Sequence, residues 1–199
     1  MMHCSAITNL TTYVPMNNQR GFFLDTNVLY WYTYPRFTAV SKSKTYDKLR
    51  ATPYIDFVDK LVSNGNPLFT SIYNITEMLH VIEKNEFDLY GLSHPEADWS
   101  LKDFRKMPDE RKQMKSNLST ALSNVKSICT ILDFNFTYNI LQQFVQDLNE
   151  HRCDTFDYAI LQNCIKENNL NIISDDSDFS TMEHIHLYTA NATVLNTSV

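Results

Sequence analysis

Carboxylate side chains follow short apolar segments at three places in this chain. Asp25 follows the apolar residues 22–24, and an acidic run at 175–178 follows the apolar residues 170–173. Glu77 lies one turn into a predicted helix that comes after a third apolar segment. Carboxylates that meet at one point repel each other, and removing them from water costs free energy. Such a cluster therefore predicts a compensating cation.

A hard divalent ion suits a cluster of carboxylates. Mg²⁺ binds oxygen ligands, typically one or two carboxylates, and keeps waters that leave room for a substrate phosphate. Two such ions about 4 Å apart stabilise the attacking and leaving oxygens of a phosphoryl displacement. Zinc is disfavoured, because His184 and His186 are the only close pair of histidines and no cysteine lies near them in the sequence. The residue types thus indicate a magnesium-like ion and chemistry on a phosphate ester.

Short apolar strands alternate with amphipathic helices, which is typical of a parallel sheet covered on both faces. The predicted strands are residues 22–24, 67–70, 128–132 and 170–173, with an edge strand at 186–190. We predict an α/β protein with three α/β/α layers, in which a central, mostly parallel sheet of four to five strands carries helices on both faces. Ligands of such sheets bind at the carboxyl ends of the strands. The acids are therefore expected at one common edge.

The segments between these strands have helical patterns. Helices are predicted at 27–32, from 52 to about 63, at 72–87, at about 109–126, at 137–148 and from 154 to about 167. Thr52 followed by Pro53 is typical of a helix start, with a hydroxyl cap and a proline in the first turn. The helix at 137–148 has an apolar face that includes Val145 and Leu148. We predict an extension at residues 1–20 and a single domain at 21–199, with a helical insertion at about 88–127.

The composition excludes several classes of function. The 199 residues include 17 Lys and Arg against 23 Asp and Glu, and the net charge of −6 argues against a non-specific nucleic-acid coat protein. The three glycines lie far apart, so no dinucleotide loop, P-loop or nucleophile elbow is present. No apolar run reaches the ~18 residues of a membrane span, and the N-terminus lacks the apolar stretch of a signal peptide. We expect a cytoplasmic protein with no membrane contact, whose four cysteines are buried thiols.

Four motifs, in this order, resemble the successive motifs of PIN-domain nucleases. They are Phe23-Leu24-Asp25-Thr26-Asn27-Val28-Leu29, the segment from Ser71 to Glu77, Asp157-Tyr158-Ala159-Ile160-Leu161, and Ile172-Ile173-Ser174-Asp175-Asp176-Ser177-Asp178-Phe179. The resemblance covers about residues 21–190. It implies a central parallel sheet, a bound Mg²⁺ or Mn²⁺, and cleavage of RNA or structured nucleic acid.

The resemblance also implies roles for individual residues. By position, the family's four acids are matched by Asp25, Glu77, Asp157 and Asp176, and an additional metal-binding acid is matched by Asp178. Ser174 stands where the family usually has a threonine and keeps its hydroxyl. Asn27 matches a polar position that supports the site.

The third acid of this resemblance has two candidates one turn apart. We prefer Asp157, because residues 159–164 continue the family's small apolar pattern, and Asp154 is then a supporting residue.

Each candidate also has a simpler interpretation. Asp25 and Asp154 suit helix N-caps, and a glutamate such as Glu77 usually lies on a solvated helix face. The aromatic residues 30–34 either pack in the core or stack on nucleic-acid bases. A basic stretch is by default a solvated helix face, but we also consider it as a substrate-binding surface for phosphates. The residues of that surface are Arg105, Lys106, Arg111 and Lys112.

The predicted function is a divalent-metal-dependent endoribonuclease that hydrolyses phosphodiester bonds through metal-activated water. Asp25, Glu77, Asp157 and Asp176 are the predicted catalytic residues, and RNA is the predicted substrate. Two alternatives stay open. One is the toxin of a bacterial toxin–antitoxin pair, with an antitoxin protein as its partner, and the other is a non-catalytic scaffold with the same fold. A homodimer is also expected from the resemblance.

Overall fold

A computed structural model describes residues 6–15, 19–39, 44–96, 98–133, 135–168 and 170–197. Its centre is a six-stranded sheet with the order β1-β6-β5-β2-β3-β4, in which every neighbouring pair is parallel. The strands are β1 (Ala6–Asn9), β2 (Phe22–Leu24), β3 (Leu68–Ser71), β4 (Cys129–Leu132), β5 (Asn171–Ile173) and β6 (His186–Thr189). The predicted parallel α/β architecture is confirmed.

Helices connect the strands, as the alternating pattern predicts. They are α1 (Thr26–Thr33), α2 (Lys44–Ser63), α3 (Ile72–Ser93), α4 (Leu101–Phe104), α5 (Pro108–Ile128), α6 (Tyr138–Gln146), α7 (Thr155–Lys166) and α8 (Ala192–Thr197). Short 3₁₀ helices lie at Pro35–Thr38 and Asp178–Thr181. Among the described residues, no helix is both long enough and apolar enough to span a membrane.

Alternating side chains of each strand enter two separate cores, because successive residues of a strand point to opposite faces. Phe22 and Leu24 belong to the core shared with α1, α2, α3 and α5, whereas Phe23 belongs to the core shared with α7 and α8. Ile173 and Ile172 divide between the two cores in the same way. The sheet is therefore buried on both faces, which defines the three layers.

The sheet has six strands instead of the predicted four to five. The additional strand is β1, which lies within the predicted extension and pairs in parallel with β6. The predicted edge strand, β6, is consequently internal. Only Ile7 of β1 packs against the core, so this strand depends on pairing with β6 and has little apolar pattern of its own. The rest of the predicted extension, residues 1–5 and 16–18, lies outside the described residues.

Two helix predictions differ from the structure. Helix α2 begins at Lys44, eight residues before the predicted start, and Pro53 lies inside it. The hydroxyl of Thr52 donates to the carbonyl of Lys48 at 2.7 Å instead of capping a helix. Tyr54, Phe57, Val58 and Leu61 of this helix are buried, and their packing outweighs the backbone hydrogen bond that the proline removes.

The predicted apolar face of α6 is only partly correct. Val145 and Leu148 are 68% and 52% exposed, whereas Ile140 and Phe144 pack against the second core. The helical insertion, in contrast, belongs to the first core, because Ala121 and Val125 of α5 are buried there. Three described cysteines, Cys129, Cys153 and Cys164, are buried free thiols, as expected.

The strand order creates a crevice between β2 and β5. From β2 the chain proceeds to β3 and β4 on one side of the sheet, and it then returns to β5 and β6 on the other side. Sheets of this kind bind ligands at the carboxyl ends of strands where the direction of connection reverses. Asp25 and Ser174 are the first residues after β2 and β5.

Candidate metal centre

A cavity of about 500 Å³ lies at the carboxyl ends of these strands. Five acidic side chains from four separate segments line it, namely Asp25, Glu77, Asp154, Asp157 and Asp176. Among the described residues that line the cavity, His80 is the one side chain able to carry a positive charge, and there is no lysine or arginine. The tertiary structure thus places the four predicted catalytic acids in the lining of one cavity.

Asp25 is both a helix cap and a buried member of the cavity. Its side chain accepts a hydrogen bond from the backbone N–H of Thr26 at 2.6 Å, at the start of α1. Its second carboxylate oxygen accepts from the hydroxyl of Ser174 at 2.6 Å. The capping interpretation and the functional one therefore describe the same side chain, since the cap is formed at the mouth of the crevice.

Asn74 links Asp25 to the helix that carries Glu77, and it was not among the site residues predicted from the sequence. Its amide donates to the Asp25 carboxylate at 3.2 Å and to the Thr26 hydroxyl at 3.1 Å. The amide oxygen of Asn74 in turn accepts from the hydroxyl of Ser71, which also caps α3. Residues 71, 74 and 77 are each three apart and so share one helix face. That spacing was the available signal.

Glu77 is exposed to solvent, as the simpler interpretation predicts. Its carboxylate is nevertheless held in place, because it accepts a hydrogen bond from the Thr26 hydroxyl at 2.7 Å. Thr26 is 7% exposed and connects Glu77 to the Asn74 amide. A glutamate that is both accessible and oriented is suited to contact an ion or a substrate in the cavity.

The loop after β5 supplies Asp176 through a series of backbone bonds. The Ser174 hydroxyl, which donates to Asp25, accepts from the backbone N–H of Asp176 at 2.9 Å. The Asp176 carboxylate accepts from the N–H of Asp178 at 2.9 Å. Asp178 itself does not line the cavity but begins a 3₁₀ helix. The backbone N–H of Asp178 therefore orients the Asp176 carboxylate.

Asp154 and Asp157 occupy different positions at the start of α7. Asp154 caps the helix, and one of its oxygens accepts from the N–H groups of Phe156 and Asp157 at 2.8 and 3.0 Å. Asp154 is the more exposed of the two acids. The N-cap interpretation of Asp154 is confirmed, and Asp157 is the acid whose side chain has no capping role in the helix.

Burial and mutual repulsion raise the affinity of these acids for protons. Burial, followed by the neighbouring charges of Glu77 and Asp176, raises the pKa of Asp25 to about 7, against the lowering effect of the Ser174 and Thr26 bonds. Burial also raises the pKa of Asp157 to about 8, with Asp25 as the largest neighbouring charge. The pKa of Asp178 is raised by burial and by Asp176. A cation in the cavity would relieve this repulsion.

The donors have the chemistry that a hard divalent ion requires, since all are carboxylate oxygens. Among the described residues, however, no three His, Cys, Asp or Glu side chains are already gathered around a single point. An ion that keeps part of its water shell can be held by acids that are not all in direct contact with it, and Mg²⁺ binds in this manner. The residues present therefore fit such an ion better than zinc.

Asp175 belongs to the same acidic run but does not line the cavity. It is 3% exposed and forms an ion pair with Arg50 of α2, and it accepts from the Tyr54 hydroxyl at 2.6 Å. Its backbone N–H donates to the side-chain oxygen of Asn27 at 3.4 Å. The supporting position predicted for Asn27 thus corresponds to a bond between α1 and the acidic loop.

The predicted substrate-binding cations are not brought to the cavity. Arg105 and Arg111 contact Glu83 at 2.9 and 3.3 Å, and Lys106 contacts Asp103 at 2.9 Å. The fourth, Lys112, is exposed on α5. Local charge spacing suggested a basic surface, but acids from α3 and α4 neutralise most of it.

The aromatic residues near position 30 have mixed roles. Tyr34 is buried and donates to Glu86, and Trp31 packs against Tyr54 at a centroid distance of 5.3 Å. Tyr30 lines the acidic cavity. Two other aromatic residues of the lining, Tyr73 and Phe156, were not identified from the sequence.

Comparison of the whole chain with family profiles finds no match, and comparison with curated proteins finds none that is significant.

Proposed function

We propose that this protein is a divalent-metal-dependent ribonuclease of PIN-like type. The observation that supports the proposal is that acids from four distant segments line one cavity at the crevice between β2 and β5. Asp25 is buried and Asp157 is half-buried, and no cationic partner is among the causes that shift their pKa values. Buried titratable groups of this kind, in a concave site, favour a functional role over a structural one.

Asp25, Glu77, Asp157 and Asp176 are the residues that would hold Mg²⁺ or Mn²⁺. When bound, such an ion supplies Lewis-acid activation of water and offsets the charge that develops on the phosphate. Ser174 orients Asp25 and the loop of Asp176 together, and Thr26 orients Glu77. In this proposal Asp178 orients Asp176 through its backbone N–H, and its role as an additional ligand stays a prediction.

The chain's own groups then define the reaction. The negative charges of the acids repel the phosphates of a substrate unless a cation compensates them. Substrate binding and ion binding are therefore coupled. No protein nucleophile is required, and the expected products carry 5′-phosphate and 3′-hydroxyl ends. His80 also lines the cavity, one turn along α3 from Glu77.

Cleavage of a mixed RNA pool tests the proposal. The wild type, Asp25→Asn and Asp176→Asn are incubated with the pool and Mn²⁺, and the fragment ends are sequenced. Asp56→Asn is the matched control, because Asp56 is an exposed aspartate of α2 that does not line the cavity. We expect cleavage by the wild type and the control alone. Undiminished Mn²⁺-dependent cleavage by both site variants would refute the assignment.

Titration calorimetry with Mn²⁺ separates an enzyme from a non-catalytic scaffold. The proposal requires Mn²⁺ binding that is weakened in Asp25→Asn and Asp157→Asn and retained in Asp56→Asn. A scaffold would show no binding that depends on the four acids. The toxin role, the antitoxin partner and the homodimer remain predictions, and growth arrest on expression that a neighbouring small gene relieves is the test of the first two.

A further inference from the structure

Three aromatic rings from three different elements meet beside the acidic cavity. They belong to Tyr73 of α3, Phe136 of the loop before α6, and Phe156 of α7. Their centroids are 5.8 Å apart for Tyr73 and Phe136, 5.9 Å for Phe136 and Phe156, and 6.4 Å for Tyr73 and Phe156. We call this group the aromatic cluster. Phe136 and Phe156 are nearly parallel, with an interplanar angle of 12°.

Two rings of the aromatic cluster are exposed, whereas Tyr73 is half-buried and packs against the second core. Phe156 is 58% exposed and Phe136 is 37% exposed. Leaving rings of this size in water forgoes the stabilisation that burying them would give. Burial in a core therefore does not account for the position of Phe156, which is the most exposed of the three rings.

The cluster is continuous with the site of the proposed reaction. Tyr73 and Phe156 line the same cavity as the acids. Phe156 directly precedes Asp157, and Tyr73 directly precedes Asn74, which bonds to Asp25. If a ligand binds with a phosphate at the acids, the group bonded next to that phosphate therefore lies close to these rings.

The charge of the cavity indicates why such rings are needed. A nucleic acid usually gains most of its affinity from phosphate contacts with lysine and arginine. The described lining contains neither, the chain carries a net charge of −6, and the nearby arginines 105 and 111 are paired with Glu83. Stacking of a base on an aromatic ring provides affinity that does not depend on positive charge.

We propose that the aromatic cluster is a binding site for one nucleobase next to the phosphodiester held at the acids, with Phe156 as the main stacking residue. This inference rests on the proposed function, since the acids define where the phosphate lies. A base can stack there only if it is unpaired and unstacked from its own strand. The cluster then selects an accessible nucleotide, and larger purine rings stack more strongly than pyrimidines.

Binding of short single-stranded RNA by fluorescence anisotropy tests this site, in an Asp25→Asn background that is expected not to cleave. One oligonucleotide carries all its bases, and a second of equal length is abasic. Phe156→Ala should weaken binding of the first by roughly tenfold and leave binding of the second unchanged. Phe156→Trp should retain the affinity. Trp99→Ala is the control, because Trp99 is also an exposed aromatic residue but lies away from the cavity. It packs on Tyr90, which is roughly 15 Å along α3 from the cavity residue His80.

The outcomes separate the two proposals. If Phe156→Ala lowers affinity equally for both oligonucleotides, or if neither it nor Phe136→Leu changes the binding of the first, the stacking site is refuted. Unchanged RNA binding is also the result expected if the rings contact a protein partner instead. Failure of the nuclease proposal would appear differently, as absent cleavage by the wild type together with a base-dependent loss in Phe156→Ala. Absence of any RNA binding by the parent protein would refute the stacking site.

Discussion

Single side chains in the cavity have two roles that the sequence alone does not separate. Asp25 caps α1 and also lies among the acids, whereas Asp175, in the same run as Asp176, is paired with Arg50 outside the cavity. The difference lies in which partner each carboxylate finds. Asp175 has a cation, and Asp25 and Asp157 have raised pKa values because burial and neighbouring acids disfavour their charged forms.

These raised pKa values predict how stability depends on pH in the metal-free protein. A carboxyl group with an ordinary pKa of 3.8 that rises to about 7 or 8 on folding binds more protons when folded, so stability falls as the pH increases through that window. Between pH 5 and pH 8, with a chelator present, we expect the Tm to fall by roughly 5 °C. Thermal unfolding followed by circular dichroism measures this change.

Variants of single carboxyl groups identify which residues cause this pH dependence of the Tm. Asp157→Asn should reduce the pH dependence, because it removes one of the two carboxyls, and Mn²⁺ at pH 8 should restore much of the Tm in the wild type. Asp56→Asn should behave like the wild type. A Tm that is the same at both pH values in the wild type would contradict the unfavourable burial of these acids.

Asn74 gives a second prediction about a single side chain. Asn74→Ala removes the amide that holds Asp25 and Thr26, and we expect cleavage or Mn²⁺ affinity to fall by roughly 10–100-fold. The control is Asn85→Ala, since Asn85 is also a buried asparagine of α3 but donates to the Tyr34 hydroxyl. Both variants should lose stability. If both also lost activity to the same degree, Asn74 would have a structural role alone.

Helix α2 connects to the acidic loop through two side chains that contact the buried Asp175. Arg50 pairs with Asp175, whose carboxylate also accepts from Tyr54, and the carbonyl of Asp175 accepts from Asn191 at 2.7 Å. These contacts tie α2 and the C-terminal region to the loop that carries Asp176. The position of that loop at the cavity therefore depends on α2, although α2 contributes no residue to the cavity lining.

Arg50→Met tests that dependence. It leaves the buried Asp175 carboxylate without its cation, so we expect a loss of about 1–3 kcal/mol in the free energy of unfolding, which is smaller than for a fully buried pair because Arg50 is half-exposed. Urea denaturation measures the loss, with Lys48→Met as the control on an exposed position of α2. The double variant Arg50→Met, Asp175→Asn should be less destabilised than the sum of the two single variants. Simple additivity would show that the pair is not coupled.

One edge of the sheet is formed by β1, a strand near the N-terminus. Strand β1 covers the edge of β6 along four residue pairs, and Thr8 bonds to His186 at 2.7 Å. An uncovered edge strand presents unpaired N–H and C=O groups to other chains. The residues of β1, which lie before the first motif, are therefore part of the sheet.

Deletion of residues 1–9 should lower the Tm and cause association through β6. Size-exclusion chromatography with light scattering detects the association, and Thr8→Ala, which removes one side-chain bond but keeps the strand, is the control. A deletion variant with the oligomeric state and Tm of the full chain would show that β6 is stable as an edge.

Local patterns were sufficient to predict the order of the strands from β2 to β6 and the helices between them, except for the short α4, and they placed Asp25 and the acidic run at 175–178 at strand ends. The choice of Asp157 and Asp176 came from the resemblance to PIN-domain nucleases. Apolar periodicity and a capping aspartate act within a few residues, so they are visible in the linear chain. The contacts that involve distant segments were not predictable in this way. Five features were missed for this reason, because each depends on contacts between residues far apart in sequence. They are the pairing of β1 with β6, the early start of α2, the different surroundings of Asp175 and Asp176, the bond from Asn74 to Asp25, and the contact of three aromatic rings. These contacts stabilise the protein only once the sheet has assembled. Packing and burial then decide which of several possible partners each residue contacts, and the local sequence pattern does not distinguish those partners.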